Sequence, residues 1–211
     1  MRFLVITDLH QKRSMVPRIN QSYKDNGCDA LLCLGDVTDL GTAEDAAEIL
    51  SMMDGNVYAI PGNCDPLDTP ARIASVVNDV HGKRFSVGGI GFAALGGSNP
   101  TIFNTPFEYE EEEITRLLEP ISFEGMVLMT HAPSYGMLDE IPSGANVGSR
   151  AISEVVRKYR PIAALSGHIH EAVGIVEKNG TLFMNPGPAR EGRAGVLEVD
   201  QKSVSAELVK L

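Results

Sequence analysis

Seven polar side chains that can bind a metal follow five short apolar runs of this 211-residue sequence, each just past the point where a run ends. They are two aspartates, one asparagine and four of the five histidines: Asp8, His10, Asp36, Asn63, His131, His168 and His170. Singly, each has a commoner explanation, such as a loop cap or a surface histidine. Because the carboxyl ends of parallel strands form the ligand-binding edge of an open α/β sheet, the repetition favours one shared site.

The size of this set predicts two divalent ions, since one structural zinc takes only four ligands. Imidazole, carboxylate and amide ligands without a required thiolate suit manganese, with iron, nickel or zinc as alternatives. Two such ions, about 3.5–4 Å apart, can hold a phosphate and acidify a bound water. The positive charge of the pocket, after allowance for two aspartates, indicates an anionic substrate.

The apolar runs themselves predict buried strands, and helical patterns lie between several of them. The predicted strands are Phe3–Ile6, Ala30–Leu34, Val57–Ile60, Ile90–Leu95, Met126–Met129 and Ile162–Leu165. The predicted helices are Ser14–Asn26, Ala43–Met53, Tyr109–Leu118 and Ser149–Tyr159, with the acidic run from Glu108 to Glu113 on the first turn of the third. Its charge suits the positive end of the helix dipole.

The last third of the chain is rich in strands, predicted at Ala172–Glu177, Thr181–Met184, Gly195–Val199 and Val204–Val209. Together with the βαβ rhythm of the first half, this indicates a mixed sheet, or two packed sheets, flanked by helices. Two long segments lack a regular pattern. The first, from Gly96 to Pro106, is either a functional lid or a plain irregular loop, and the second, from His131 to Gly148, is expected to line the pocket.

Composition and charge exclude several classes of protein. With 43% hydrophobic and 22% charged residues, the chain is typical of one globular domain spanning residues 1–211. A net charge of −10 disfavours nucleic-acid backbones and anionic membranes. The apolar run at the N-terminus stops at Asp8, unlike a signal peptide. The three cysteines are an odd and sparse set, which favours a reduced, cytoplasmic protein.

The ordered motifs DxH, GDxxD, GN, H and GHxH, from Asp8 to His170, resemble those of the calcineurin-like metallophosphoesterases. The resemblance implies a four-layer αββα sandwich with a dimetal site on the sheet edges. It assigns one metal to Asp8, His10, Asp36 and His170, and the other to Asp36, Asn63, His131 and His168, with Asp36 bridging. It also implies that a bridging hydroxide attacks phosphorus in line.

One position departs from that family. Cys64 occupies the place of the histidine in the family's GNH motif, which helps to protonate the leaving group and pairs with the aspartate at the position of Asp39. A thiol beside carboxylates has a raised pKa and is a poor acid at neutral pH. We therefore predict a preference for activated diesters or pyrophosphates, or a proton from elsewhere; the alternative is that Cys64 merely packs beside the site.

Two further residues are candidate substrate contacts. Asn99 lies in the first long loop, and Arg190 follows a glycine- and proline-rich turn, from which it could bind a phosphate bidentately. A solvated surface turn explains Arg190 equally well, and a plain irregular loop is the commoner explanation for a residue such as Asn99. The favoured function is a dimetal phosphodiesterase acting on a small phosphorylated substrate. The alternatives are a phosphomonoesterase or protein phosphatase, and a binding scaffold like the retromer subunit of this fold.

Overall fold

A computed structural model describes residues 1–200 and 203–211, and its strands form two mixed sheets of six strands each. The strands are β1 (Arg2–Ile6), β2 (Ala30–Cys33), β3 (Val57–Ala59), β4 (Asn78–Asp79), β5 (Lys83–Val87), β6 (Ile90–Leu95), β7 (Val127–Thr130), β8 (Ala163–Leu165), β9 (Gly174–Lys178), β10 (Thr181–Asn185), β11 (Arg193–Val199) and β12 (Val204–Lys210). The helices are α1 (Val16–Asp25), α2 (Ala43–Ser51), α3 (Thr69–Ile73), α4 (Glu111–Leu118) and α5 (Arg150–Tyr159). Short 3₁₀ turns cover Arg13–Met15 and Ala189–Glu191.

Each sheet has three neighbouring parallel strands at its centre. The first has the order β12-β11-β1-β2-β3-β4, and the second has the order β5-β6-β7-β8-β10-β9. Strands β1, β2 and β3 run parallel to one another in the first sheet, as do β6, β7 and β8 in the second. Antiparallel strands β11 and β12 close one edge of the first sheet, and β5 and β9 lie at the edges of the second.

Three apolar cores lie between four layers. The first packs α1 and α2 on the first sheet, around Ile19 and Leu31. The second lies between the sheets, where the rings of Phe3 and Phe92 meet edge to face with centroids 5.4 Å apart. The third packs α4 and α5 on the second sheet, around Ile114. These layers confirm the αββα sandwich expected from the sequence.

The predicted strands and helices are confirmed, with their ends shifted by at most two residues. Strands β4 and β5 and helix α3 were not predicted. Strand β4 has two residues and helix α3 has five, which is too short for a recognisable pattern. Strand β5 has the sequence KRFSV, and its charged and polar residues hide the alternation of a half-exposed strand. The tail strands divide between the sheets: β9 and β10 join the second, and β11 and β12 join the first.

Two smaller findings concern cysteines and membranes. Cys28 and Cys33 are buried free thiols, as expected. Within the described parts of the chain, no helix combines the length and the hydrophobicity that crossing a bilayer requires.

Candidate metal centre

The seven predicted side chains meet at the end of the sandwich where the carboxyl ends of β1, β2 and β3 face those of β7 and β8. Three groups have ligand atoms within 4.8 Å of one another: Asp8 with His10 and His170, Asp8 with Asp36 and His131, and His10 with Asp36 and Cys64. Asn63 and His168 join these groups through His131, as described below. We call these seven residues, Asp8, His10, Asp36, Asn63, His131, His168 and His170, the metal cluster.

Four members of the cluster have left-handed backbone conformations. The φ angles are 55° at Asp8, 45° at His10, 50° at Asp36 and 65° at His168. Non-glycine residues adopt this region at a cost, and such residues concentrate at functional sites where the surrounding structure holds them. After β1, β2 and β8 these left-handed residues turn the chain sharply, so that their side chains are brought to the shared edge.

Two glycines explain why the cluster packs so closely. A Cβ built on Gly62 would overlap the Asp36 carboxylate, and one built on Gly167 would overlap Thr7 Oγ1 and approach Asp8 Oδ2 to 2.7 Å. Both positions therefore require the absence of a side chain. The glycines that precede Asn63 and His168 in the sequence motifs allow the loops of neighbouring strands to touch.

Asp65 holds the loops after β2 and β3 together. This fully buried carboxylate accepts hydrogen bonds from the backbone N–H groups of Gly62 and Thr38, each 2.8 Å long, and from the Thr38 hydroxyl at 2.8 Å. It is not one of the groups that could hold an ion. Asp65 therefore orients the loops that carry Asp36 and Asn63.

The surroundings of His131 fit a bound cation. Its Nδ1 lies 2.8 Å from the Leu34 carbonyl oxygen and so carries a proton. Its Nε2 faces Asn63 Oδ1 at 2.9 Å and Asp36 Oδ1 at 3.5 Å, which are both acceptors. With no cation present, a proton on Nε2 must satisfy them, and the Asp36 charge outweighs the effect of burial and raises the His131 pKa to about 9. A metal ion can replace that proton.

A second set of acceptors surrounds Asp8. His170 Nε2 lies 3.1 Å from Asp8 Oδ1, and His10 Nε2 lies 3.7 Å from the same oxygen and 3.4 Å from His170 Nε2. His10 Nδ1 is buried with no hydrogen-bond partner among the described residues. Asp8 Oδ1 is also buried, and the His170 imidazole is the donor within its reach. A buried carboxylate oxygen that loses its donor costs free energy. A cation among these atoms would remove that cost, so the residues present fit a metal ion.

The pKa values of Asp8, Asp36 and His168 suit metal binding. Burial opposes ionisation of Asp8 and Asp36, but the neighbouring imidazoles outweigh it, and the pKa of each carboxyl is lowered. The His168 ring packs edge-on against the His131 ring at 5.1 Å, and burial together with the His131 charge lowers the His168 pKa to about 4. Carboxylates that stay ionised and an imidazole that stays neutral are the forms that bind metal.

Cys64 lies beside the cluster with its side chain half buried. Its backbone N–H donates to Asp36 Oδ1 at 2.8 Å, and its Sγ lies 3.7 Å from Asn63 Nδ2. Burial and the Asp36 carboxylate raise the pKa of the thiol, as predicted. Asp39 is exposed, and its Oδ1 lies 3.6 Å from His10 Nδ1. The contact that the structure gives Asp39 is thus with His10, whereas the pairing with Cys64 expected from the family pattern stays a prediction.

The two candidate substrate contacts, Asn99 and Arg190, both lie beside the cluster. Asn99 lines a cleft together with His168 and His170, and its Nδ2 donates to the Val147 carbonyl oxygen at 3.2 Å. Arg190 Nη2 lies 3.2 Å from His170 Nδ1. A guanidinium at this position is close enough to the cluster to reach a bound phosphate.

Sequence reasoning missed the residues that fix the Asn63 amide. Asn63 Nδ2 donates to Thr105 Oγ1 at 2.9 Å, and Thr105 Oγ1 donates to Glu108 Oε1 at 2.5 Å. These bonds hold Asn63 Oδ1 toward His131. Glu108 precedes α4, so it does not lie on the first turn of that helix, contrary to the sequence-based assignment. No local pattern could have revealed this role, because it depends on a loop returning to β3.

Comparisons with known proteins agree with this geometry. The family model "Calcineurin-like phosphoesterase superfamily domain" matches residues 1–202. An uncharacterised protein of Methanocaldococcus jannaschii is 32% identical over 197 residues, which cover 89% of this chain and 88% of that protein. Among solved structures, a dimetal phosphatase from Danio rerio has a TM-score of 0.69 at 12% identity, with 99% of this chain and 95% of that chain covered. A novel archaeal phosphodiesterase has a TM-score of 0.61 at 13% identity, with 99% and 100% covered.

Proposed function

The chain belongs to the calcineurin-like phosphoesterase superfamily, and from that premise we propose that it is a phosphodiesterase that uses two divalent metal ions. The single observation that carries the proposal is the pair of acceptor sets, around Asp8 and around His131, joined by Asp36. Each set holds atoms that lack a partner or need a proton in the absence of a cation. Manganese is the ion we propose, because the carboxylate and amide oxygens of the cluster suit it and no thiolate is required.

The ions, when bound, supply positive charge for a phosphate and acidify a water. The chain's own residues do the rest. Asp36 lies between the two acceptor sets and can serve both. Asn63, held by Thr105, presents an oxygen, and Arg190 at the edge of the cluster supplies a fixed charge for a phosphate oxygen. The substrate we propose is a small phosphorylated molecule, and three free cysteines support a cytoplasmic setting.

The raised pKa of Cys64, which occupies the family's general-acid position, supports a diester with an activated alcohol. Cys64 stands where the family places a histidine, and its pKa is raised, so the neutral thiol does not donate its proton readily. Aryl oxides and phosphates leave without such help, whereas alkoxides need it. The proposal therefore favours aryl or pyrophosphate-type substrates.

The test uses full-length protein that has been stripped of metal. Turnover of bis(para-nitrophenyl) phosphate and of para-nitrophenyl phosphate is measured with manganese, nickel, iron or zinc added back. We expect manganese-dependent turnover that is faster on the diester. Asp36→Asn should reduce the rate to background, whereas Asp29→Asn, an exposed change just before β2 and outside the cluster, should not.

The other outcomes point to other functions. Faster turnover of the monoester would replace the proposal with a phosphomonoesterase. Tight binding of two ions with no turnover of either ester would favour a binding scaffold. Failure to bind any of the four metals would contradict the metal centre itself.

A further inference from the structure

A cleft of about 570 Å³ opens directly beside the metal cluster. Two cluster members, His168 and His170, form part of its wall. The rest comes from residues 99–103 of the first long loop, from Ile141, Pro142 and Val147 of the second, and from Ile169 and Glu171. We call this the apolar cleft, because hydrocarbon side chains dominate its lining.

Two side chains of the cleft are unusually exposed. Ile102 is 89% exposed and Phe103 is 77% exposed, more than any other large hydrophobic side chain in the described residues. Adjacent apolar side chains left in water next to a functional site are typical of a binding surface. Thr101 Oγ1 donates to Glu108 Oε1 at 2.6 Å, which anchors the base of the loop that carries them.

Asn99 supplies an independent sign of a ligand. Its Nδ2 donates to the Val147 carbonyl oxygen, which ties the two loops together, but its Oδ1 is buried with no hydrogen-bond partner in the described part of the chain. A buried acceptor without a partner costs free energy that a donor on a ligand would recover. Asn99 lines the same cleft as Ile102 and Phe103.

We propose that the apolar cleft binds one ester group of the substrate: a planar ring that carries a hydrogen-bond donor, as a nucleobase does. The ring packs against Ile102, Phe103 and Ile141, and its donor bonds Asn99 Oδ1. The phosphate then lies at the metal cluster, which is continuous with the cleft through His168 and His170. This inference rests on the proposed function, and it gives the substrate class as a phosphate ester of a ring-bearing alcohol, such as a nucleoside.

The test measures binding apart from turnover. Affinities of the manganese-loaded protein for phenylphosphonate, methylphosphonate and uridine monophosphate are determined by calorimetry. We expect phenylphosphonate to bind about 10-fold more tightly than methylphosphonate, and Ile102→Ser with Phe103→Ser to abolish that preference. Met52→Ser with Val76→Ser replaces two partly exposed side chains elsewhere, 45% and 44% exposed, and should preserve it.

A second variant tests the hydrogen bond between a donor on the ring and Asn99 Oδ1. Asn99→Leu should weaken uridine monophosphate about 10-fold while leaving phenylphosphonate unchanged, because only the former has a ring N–H. Equal weakening of both ligands would overturn the role of Asn99 as a substrate contact. No preference for the ring in the wild-type protein would overturn the cleft proposal.

Two controls separate this proposal from its premise. Ring preference in binding together with no turnover of bis(para-nitrophenyl) phosphate would contradict the proposed hydrolysis but keep the cleft. Turnover of the diester without any ring preference in binding would support the proposed hydrolysis but contradict the cleft proposal. Gel filtration of the same variants tests whether a second copy of the chain fills the cleft instead. If the wild type is a dimer and the double variant Ile102→Ser with Phe103→Ser is a monomer, the cleft is a dimer interface and the proposal is wrong.

Discussion

At the scale of single residues, the site depends on which atoms hold protons. His131 illustrates this, because its Nδ1 proton is committed to the Leu34 carbonyl and only Nε2 is left to face Asn63 and Asp36. A proton and a metal ion therefore compete for one nitrogen. Buried acceptors that face no donor or cation cost free energy. A bound cation would remove that cost in this cluster.

The competition gives a pH dependence of metal affinity. Because the His131 pKa is raised to about 9, this nitrogen is protonated at neutral pH without a metal, and binding must release the proton. We expect apparent manganese affinity to rise by up to about tenfold per pH unit between pH 7 and 9 and then to level off. Calorimetry in buffers of different ionisation enthalpy counts the protons released. Affinity that is flat over this range would contradict the assignment.

The same residue links pH to the stability of the metal-free protein. A histidine pKa raised above its unfolded value near 6.5 contributes stability that is fully present below that value and is lost as pH rises through the folded value of about 9. We therefore expect the thermal midpoint of the metal-stripped protein to decrease as the pH rises from about 6.5 to about 9. Manganese should remove most of that dependence, because the ion takes the place of the proton.

Cys64 offers a substitution that should gain activity. Cys64→His restores a group that can protonate a leaving group, and its position beside Asp36 favours the charged imidazole. We expect kcat on alkyl diesters to rise by about 10²-fold, with little change on aryl diesters, since general acids contribute roughly 10²–10⁴-fold where protonation is needed. Steady-state kinetics on matched alkyl and aryl esters measure the difference.

The control for this substitution is Cys64→Ala, which removes the thiol without adding an acid. It should not improve turnover of alkyl diesters. If Cys64→His leaves the rates on both ester classes unchanged, Cys64 merely packs beside the site, and the idea of a missing general acid is wrong.

At the scale of elements, the site depends on sharp turns after parallel strands. Strand β8 ends at Leu165, and within three residues the chain reaches the left-handed His168, whose backbone N–H donates to Asp8 Oδ2 at 3.1 Å. That contact joins the second sheet to the first. Gly167 makes it possible, since a side chain there would overlap Thr7.

Gly167→Ala should therefore damage both stability and metal binding. The added methyl group must displace Thr7 or the turn that carries His168, and overpacking of this kind costs about 1–3 kcal/mol. Gly174→Ala is a matched control, because the nearest atom to its Cβ is the flexible end of Leu138 at 3.1 Å. Denaturant unfolding and manganese titration of both variants compare them. Equal effects would show that close packing at Gly167 is not the cause.

At the scale of the whole molecule, the metal cluster joins the two sheets. Asp8, Asp36 and Asn63 follow strands of the first sheet, whereas His131 and His168 follow strands of the second. Ions held by both sets would tie the halves of the sandwich together. A ligand that binds only the folded state stabilises it by mass action.

Removal of metal should therefore lower the thermal midpoint. At a free concentration 100 times the Kd, the stabilisation is about 2.7 kcal/mol, which corresponds to a shift of roughly 5–11 °C for a chain of this size. Differential scanning calorimetry with manganese and with a chelator measures it. The shift should disappear in Asp36→Asn; a shift of the same size in that variant would place the stabilising ion elsewhere.

Much of the fold could be predicted from the sequence, because apolar runs such as the one before Asp8 and helical patterns such as the one after Thr42 are local signals. Thr42 itself confirms the point, since its side chain and Asp45 form the capping box that begins α2. Short or half-exposed elements carry no such signal, which is why β4, β5 and α3 were not predicted.

The residue types of the cluster and their positions after strands could be read from the sequence, because each depends on a few neighbouring residues. Three features could not: two sheets share the site, Thr105 and Glu108 fix Asn63, and Ile102 and Phe103 stand exposed beside it. These features arise from contacts between segments far apart in the chain. Their free energy depends on burial and alignment in three dimensions, which no local spacing of residues encodes.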